Sequence, residues 1–143
     1  MAISNISGSA FVDEILSALH PTTGTKTIGS KTVTAPIKVR LITTLGSGTA
    51  AGTELTSGGS YTAGTGISIG SNWAAASAGS QSTNATVSQT NMPAATIVGI
   101  ELWDSSATPQ RLEYSASGGM TSKTTQSGDT LSFTSGAITS AIS

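Results

Sequence analysis

The side chains in this sequence that could do chemistry are few. His20 is the one histidine, and serine and threonine fill about a third of the chain. The residue types of a Ser-His-Asp arrangement are therefore present. His20 stands before Pro21 at the end of a helical pattern, where an imidazole ordinarily hydrogen-bonds the last helical carbonyls or pairs with their partial charge. That role is expected here, and no catalytic residue is assigned. A single histidine and no cysteine leave no set of ligands for a multi-histidine or thiolate metal centre, so no metal and no cofactor is expected. Glu101 and Glu113 sit on two strand patterns that could meet across a hairpin and are the residue types of a glycosidase pair. Solvated carboxylates with Arg111 or Lys123 nearby are the stronger expectation. Tyr61, Trp73 and Trp103 could stack on sugars, but in a chain with 4% aromatics they are expected first in the core or at a subunit contact. Gly24–Thr32, GTKTIGSKT, approaches a phosphate-binding loop. Ser30 separates Gly29 from Lys31, however, and the segment follows a helix rather than a buried strand.

The elements that would position these groups can be read from periodicity. Thr96–Tyr114, TIVGIELWDSSATPQRLEY, is the clearest stretch. Val98, Ile100 and Leu102 alternate with Gly99, Glu101 and Trp103, Asp104–Pro109 has turn chemistry, and Leu112 and Tyr114 resume the alternation. Ser9–Leu19 is the one helix, with Phe11, Val12, Ile15, Leu16 and Leu19 as its apolar stripe, Ser9 as N-cap and Asp13 and Glu14 near its positive end. Its stripe must pack on a sheet or on a partner subunit. Thr22–Thr34 reads as a loop or a weak edge hairpin. Pro36–Thr44 reads as a strand with Ile37, Val39 and Leu41 on one face. Leu45–Thr65 reads as a long surface loop pinned by Leu55 and Tyr61. Short strands follow at Ile67–Ile69, Ala85–Gln89 and Thr130–Thr134, and a last one spans Ile138 and Ile142. Short strands separated by turn signals predict a mainly β protein, an antiparallel β-sandwich or small barrel with one short N-terminal helix. Residues 1–143 are expected to form one domain, with 1–20 as a helical N-terminal segment and 21–143 as the β-domain.

Composition narrows the functional classes. Charged residues make up 9% of the chain and the net charge is −1, against about 25% charged in an average soluble domain. No field exists to gather nucleic acid or an anionic membrane surface, and no apolar run is long enough for a membrane-spanning helix. The N-terminal MAISNISGSAFVDEIL carries acids and lacks the basic start of a signal peptide, which points to synthesis in a cytoplasm. In a chain so rich in Ser, Thr and Gly, order at the termini is expected to come from neighbouring subunits.

Residues 36–138 resemble small virion proteins of tailed phages, of the kinds labelled tail fibre, minor tail or capsid decoration proteins. The resemblance lies on Ile97–Asp104 (IVGIELWD), on Leu112, and on Ser122–Ile138 (SKTTQSGDTLSFTSGAI), whose G-D-T-L-x-F block is its most specific part. Pro36–Thr44, Gly52–Leu55 and Gly58–Tyr61 match more loosely. The chain has Ile42 where the family commonly has a histidine, and Thr62-Ala63 where it has an aromatic–arginine step. The resemblance implies a non-enzymatic virion structural protein. A capsid decoration or minor capsid protein on the particle exterior is expected first, a tail fibre or minor tail protein second, and a carbohydrate-binding host-attachment module third. Its partners would be the major capsid protein or tail proteins and further copies of itself, with a trimer as the first expectation.

Overall fold

A computed structural model of the protein describes residues 9–142. Helix α1 (Ser9–Leu19) has the bounds its periodicity predicts. The Ser9 side chain, the Asn5-Ile6-Ser7 glycosylation pattern and the expectation of subunit-held ends at Met1 and Ser143 lie outside the described residues. Val12 and Leu16 are buried, whereas Phe11, expected in the same stripe, is exposed. The helix rests on two narrow strand ladders, β1 (Thr25–Ile28) and β6 (Ser80–Ser82). A seat that narrow covers the Val12–Leu16 line and leaves the adjoining position uncovered.

The β-strands are short because Gly, Ser and Thr interrupt them. After β1 come β2 (Lys31–Thr34), β3 (Lys38–Thr44), β4 (Thr53–Glu54) and β5 (Ile67–Ser68). β6 is followed by β7 (Val87–Gln89), β8 (Ala95–Ile97), β9 (Gly99–Trp103), β10 (Arg111–Tyr114), β11 (Lys123–Thr125), β12 (Leu131–Phe133) and β13 (Thr139–Ala141). β1 and β2 form a hairpin whose turn is Gly29-Ser30, with Ile28 opposite Lys31. The resemblance of Gly24–Thr32 to a phosphate loop is thus hairpin composition. A five-stranded sheet has the order β10-β9-β3-β4, and β5 also pairs with β3.

The second half of the chain is a nested series of antiparallel ladders. β9 pairs with β10, β8 with β11, β7 with β12 and β6 with β13. Each ladder encloses the previous one in sequence, and the Asp104–Gln110 loop is the innermost turn. The fold is mainly β with one short N-terminal helix. Its antiparallel sheets stay open, so the sandwich expectation fits and the barrel alternative does not.

The core confirms the faces assigned to the two best strand patterns. Ile37, Val39 and Leu41 are fully buried, and Leu102 lies opposite Val39. Around them pack Leu55, Tyr61, Ile69, Trp73, Met92, Ile97 and Leu131. Four expectations need correction. The single strand expected from Val98 to Trp103 begins at Gly99, because the chain changes partner at Val98: β8 pairs with β11, β9 with β3. Gly99 permits that passage, since a Cβ there would meet the Leu45 side chain at 2.6 Å. Leu45–Thr65 is not merely a surface loop: it contributes β4, its expected pins Leu55 and Tyr61 are buried in the core, and its residues 47–52 bond Glu101 and Arg111. Tyr114, expected to continue the inward alternation, is exposed, because a bulge between Arg111 and Glu113 shifts the register. Ile142 is likewise exposed, just past the end of β13.

Candidate functional site

Two polar clusters flank the five-stranded sheet. The first lies on the face away from the core. Cα partners run Arg40–Glu101–Tyr114 across β3, β9 and β10, so alternate side chains from three strands meet there. Glu101 is buried, not solvated as expected for a strand carboxylate. Its Oε1 accepts from Gly52 N at 2.7 Å and Arg111 Nη1 at 3.0 Å, and its Oε2 accepts from Trp103 Nε1 at 3.0 Å. Arg111 also donates to the carbonyls of Ser47, Gly48 and Ala50, and its guanidinium lies over the Tyr114 ring. The expected proximity of Arg111 to a carboxylate is therefore realised, while the solvent is replaced by the 47–52 loop.

Arg40 extends this network. Its guanidinium carbon lies 4.0 Å from the centre of the Trp103 ring, and its Nη1 is 3.5 Å from Glu54 Oε2. Glu54 Oε1 accepts from the Tyr61 hydroxyl at 2.7 Å, and that hydroxyl accepts from Leu41 N at 3.1 Å. Burial pushes the Tyr61 hydroxyl well above the ordinary tyrosine range; the Leu41 N–H opposes this and Glu54 reinforces it. Tyr61 and Trp73 are both buried, and Arg40 covers the Trp103 ring. The three aromatics considered for sugar stacking are scattered through the framework and offer no common platform.

The second cluster lies where α1 meets the outer ladders. The His20 ring is stacked on Trp73 with centroids 4.1 Å apart. Its Nδ1 is 2.9 Å from Gln81 Oε1 on β6, and its Nε2 is 3.5 Å from Glu113 Oε1 on β10. The same Glu113 oxygen accepts from the Ser140 hydroxyl on β13. His20 therefore serves other elements, not its own helix's carbonyls as expected. Burial pushes the Glu113 carboxyl up, but the His20 N–H and charge and the Ser140 hydroxyl together hold it below the ordinary carboxylate value. Glu101 and Glu113 do not form a pair. Glu101 stands opposite Tyr114 and Glu113 opposite Leu102, which sends the carboxylates to opposite faces of the sheet.

Comparison with protein-family models, with curated proteins and with solved structures finds no match to this chain. The likeness to phage virion proteins thus rests on the sequence signature alone.

Neither cluster assembles a Ser-His-acid relay. Ser140 donates to Glu113, and the imidazole lies beyond that carboxylate, so nothing draws the proton from the serine toward His20. The His20 side chain is also wholly enclosed. Beside Glu113 runs an open groove of about 690 Å³ lined by Ile100, Leu102, Leu131, Phe133 and Ile138. It is the unclosed edge of the core between β9–β10 and β12–β13. Among the described residues no group of three His, Cys, Asp or Glu is placed to hold a metal ion.

Sequence reasoning missed Gln81, Ser140, Glu54 and Asp104. Asp104 was legible as a turn residue, but its burial was not. Its carboxylate accepts from Gln110 N, Ser106 Oγ and Thr34 N, and the last of these comes from β2, far away in the chain. Gln81 lies in a segment of small residues where period-two patterning gives no signal, and Ser140 lies inside the strand expected at Ile138 and Ile142, where its residue type alone marks no partner.

Proposed function

We propose that this protein is a non-enzymatic structural subunit of a tailed-phage virion, seated on the exterior of the head as a decoration or minor capsid protein. One observation carries the reading: the signature residues supply β9, β11, β12 and the end of β8, within three of the four nested ladders. Ile97 and Lys123 are strand partners, and Leu131 and Phe133 pair with Gln89 and Val87. Between them, Gly128 and Asp129 bond through their backbones to Met92, and Asp129 Oδ2 accepts from Gln126 N. The G-D-T-L-x-F block is thus framework chemistry, as suits a protein whose task is to hold a shape.

Two further features support a scaffold that docks by its surface. The 47–52 loop is fastened by Arg111 and Glu101, so its surface is preorganised for contact. Among the described residues β10 and β13 each have a hydrogen-bonded strand neighbour on one side only, and unpaired edges of this kind are where a neighbouring chain adds a strand. The partner in this reading is the major capsid protein or a further copy of the subunit.

The test is localisation on purified particles. An antibody or gold label against this chain should decorate heads, at a copy number that matches repeated capsomer positions. Label confined to tails would replace this reading with the tail fibre or minor tail one. Absence of the polypeptide from washed particles would end both.

A further inference from the structure

We propose that His20 and Glu113 form a proton-controlled latch that fastens α1 to the β10–β13 side of the fold. The geometry fixes how the imidazole is used. Gln81 Nε2 donates to the carbonyl of Ala74 at 2.9 Å, which orients the amide so that its oxygen faces His20. Nδ1 must then carry a hydrogen to donate to Gln81 Oε1. A neutral ring in that tautomer turns a bare Nε2 lone pair toward the Glu113 carboxylate 3.5 Å away, and the two repel. A protonated ring instead presents an N–H and a positive charge to the same oxygen. With the carboxylate ionised, the described contacts are favourable throughout only when the ring is protonated.

Glu113 is the charged group that faces the ring. Gln81 on β6, Trp73 and, through Glu113, Ser140 on β13 are its neutral neighbours. On α1 itself Asp13 is committed to Gly79 N at 2.8 Å, and Lys26 on β1 is exposed to solvent. Among the described residues no other element supplies a charge that would stand in for the pair. His20 is fully enclosed at the end of α1, so its charge cannot be relieved by water without moving the helix. Loss of the imidazole proton, or gain of a proton by Glu113, therefore loosens α1 while the β3–β9 core stays closed. Release would uncover Val12 and Leu16 beside the exposed Phe11.

The chain's one histidine gives an unambiguous ring signal, so the test needs no substitution. The His20 ring proton is followed by NMR across pH on the unmodified protein, together with hydrogen exchange of α1 and β3 amides corrected for intrinsic rates. On the alkaline side α1 protection should fall by about tenfold or more, in step with the change in the ring signal, while β3 protection holds. Glu113→Gln should lower α1 protection where the unmodified protein is latched and remove its dependence on pH there. Should that variant fold poorly, Ser140→Ala, which frees the carboxylate from one of its anchors, is read by the same signals. A ring signal that stays constant, or one that titrates while α1 exchange does not follow, would overturn the proposal.

Discussion

Arg111 and Glu101 face each other from adjacent strands with Nη1 and Oε1 3.0 Å apart, and their side chains are 13% and 3% exposed. The pair ties β9 and β10 to the 47–52 loop, because both partners also bond that loop's backbone. Removing the arginine leaves a buried carboxylate without its charged partner. Arg111→Ala is expected to cost about 3–5 kcal/mol. Glu101→Gln keeps an acceptor for Gly52 N and leaves Arg111 its three carbonyls, so about 1–2 kcal/mol is expected. Urea unfolding midpoints check the order. Protease cleavage between Ser47 and Gly52 should rise in the arginine variant more than in the glutamine one.

Glu113 makes stability depend on pH in a predictable direction. Its folded carboxyl lies below the ordinary value of 4.5 that it regains on unfolding. In the acid range the unfolded chain thus binds the proton more tightly than the folded one. The contribution is present above 4.5 and is lost as pH falls through the folded value. Glu113→Gln should be less stable than the unmodified protein near neutrality, and the two should converge on acidification. Thermal unfolding midpoints taken down the acid range measure this, and curves that stay parallel would refute the assignment.

Tyr61 acts in the opposite pH range. Its hydroxyl is held protonated by burial and by Glu54, whereas the unfolded side chain ionises near 10.0. Stability from this group is complete below that value and declines as pH rises past it, since only the unfolded state releases the proton readily. Tyr61→Phe should remove that alkaline decline. It also leaves Leu41 N without its acceptor, at a cost of about 1–3 kcal/mol at neutral pH. Alkaline denaturation profiles of the two proteins separate the effects.

Much of the fold was legible because a few segments carry strong patterns. α1 announced itself by spacing and by His20-Pro21, and β3 by the Ile37, Val39 and Leu41 alternation. The β9–β10 hairpin was legible down to its turn, yet not the bulge that sent Tyr114 outward, since a bulge leaves the residue types unchanged. β6 and β11 are Ser, Thr, Gln and Lys, and such strands are defined by their partners rather than by their own composition. The polar clusters were the least legible part. Glu101 could be paired with Arg111 from the hairpin alone, but its burial depends on the Gly52 loop folding back over it. The His20–Glu113 contact joins residues that no local rule connects. Long-range topology, set by the nesting of four ladders, brings them together.

The same topology predicts where an apolar truncation matters. Leu102 is 3% exposed, while Phe11 is 56% exposed, although both belong to clear apolar patterns in the sequence. Leu102 sits opposite Val39 in the central ladder and also walls the groove that ends the core. Leu102→Ala removes packed methyl groups from a place where strands on both sides restrict collapse, so about 2–5 kcal/mol is expected. Phe11 projects from the side of α1 that the β1 and β6 ladders leave uncovered. Phe11→Ala should stay within about 0.5 kcal/mol in the isolated subunit. Urea titrations of the two variants decide the matter: equal losses would mean that Phe11 is packed after all. A Leu102 variant as stable as the unmodified protein would mean that the inward face of β9 is not the core.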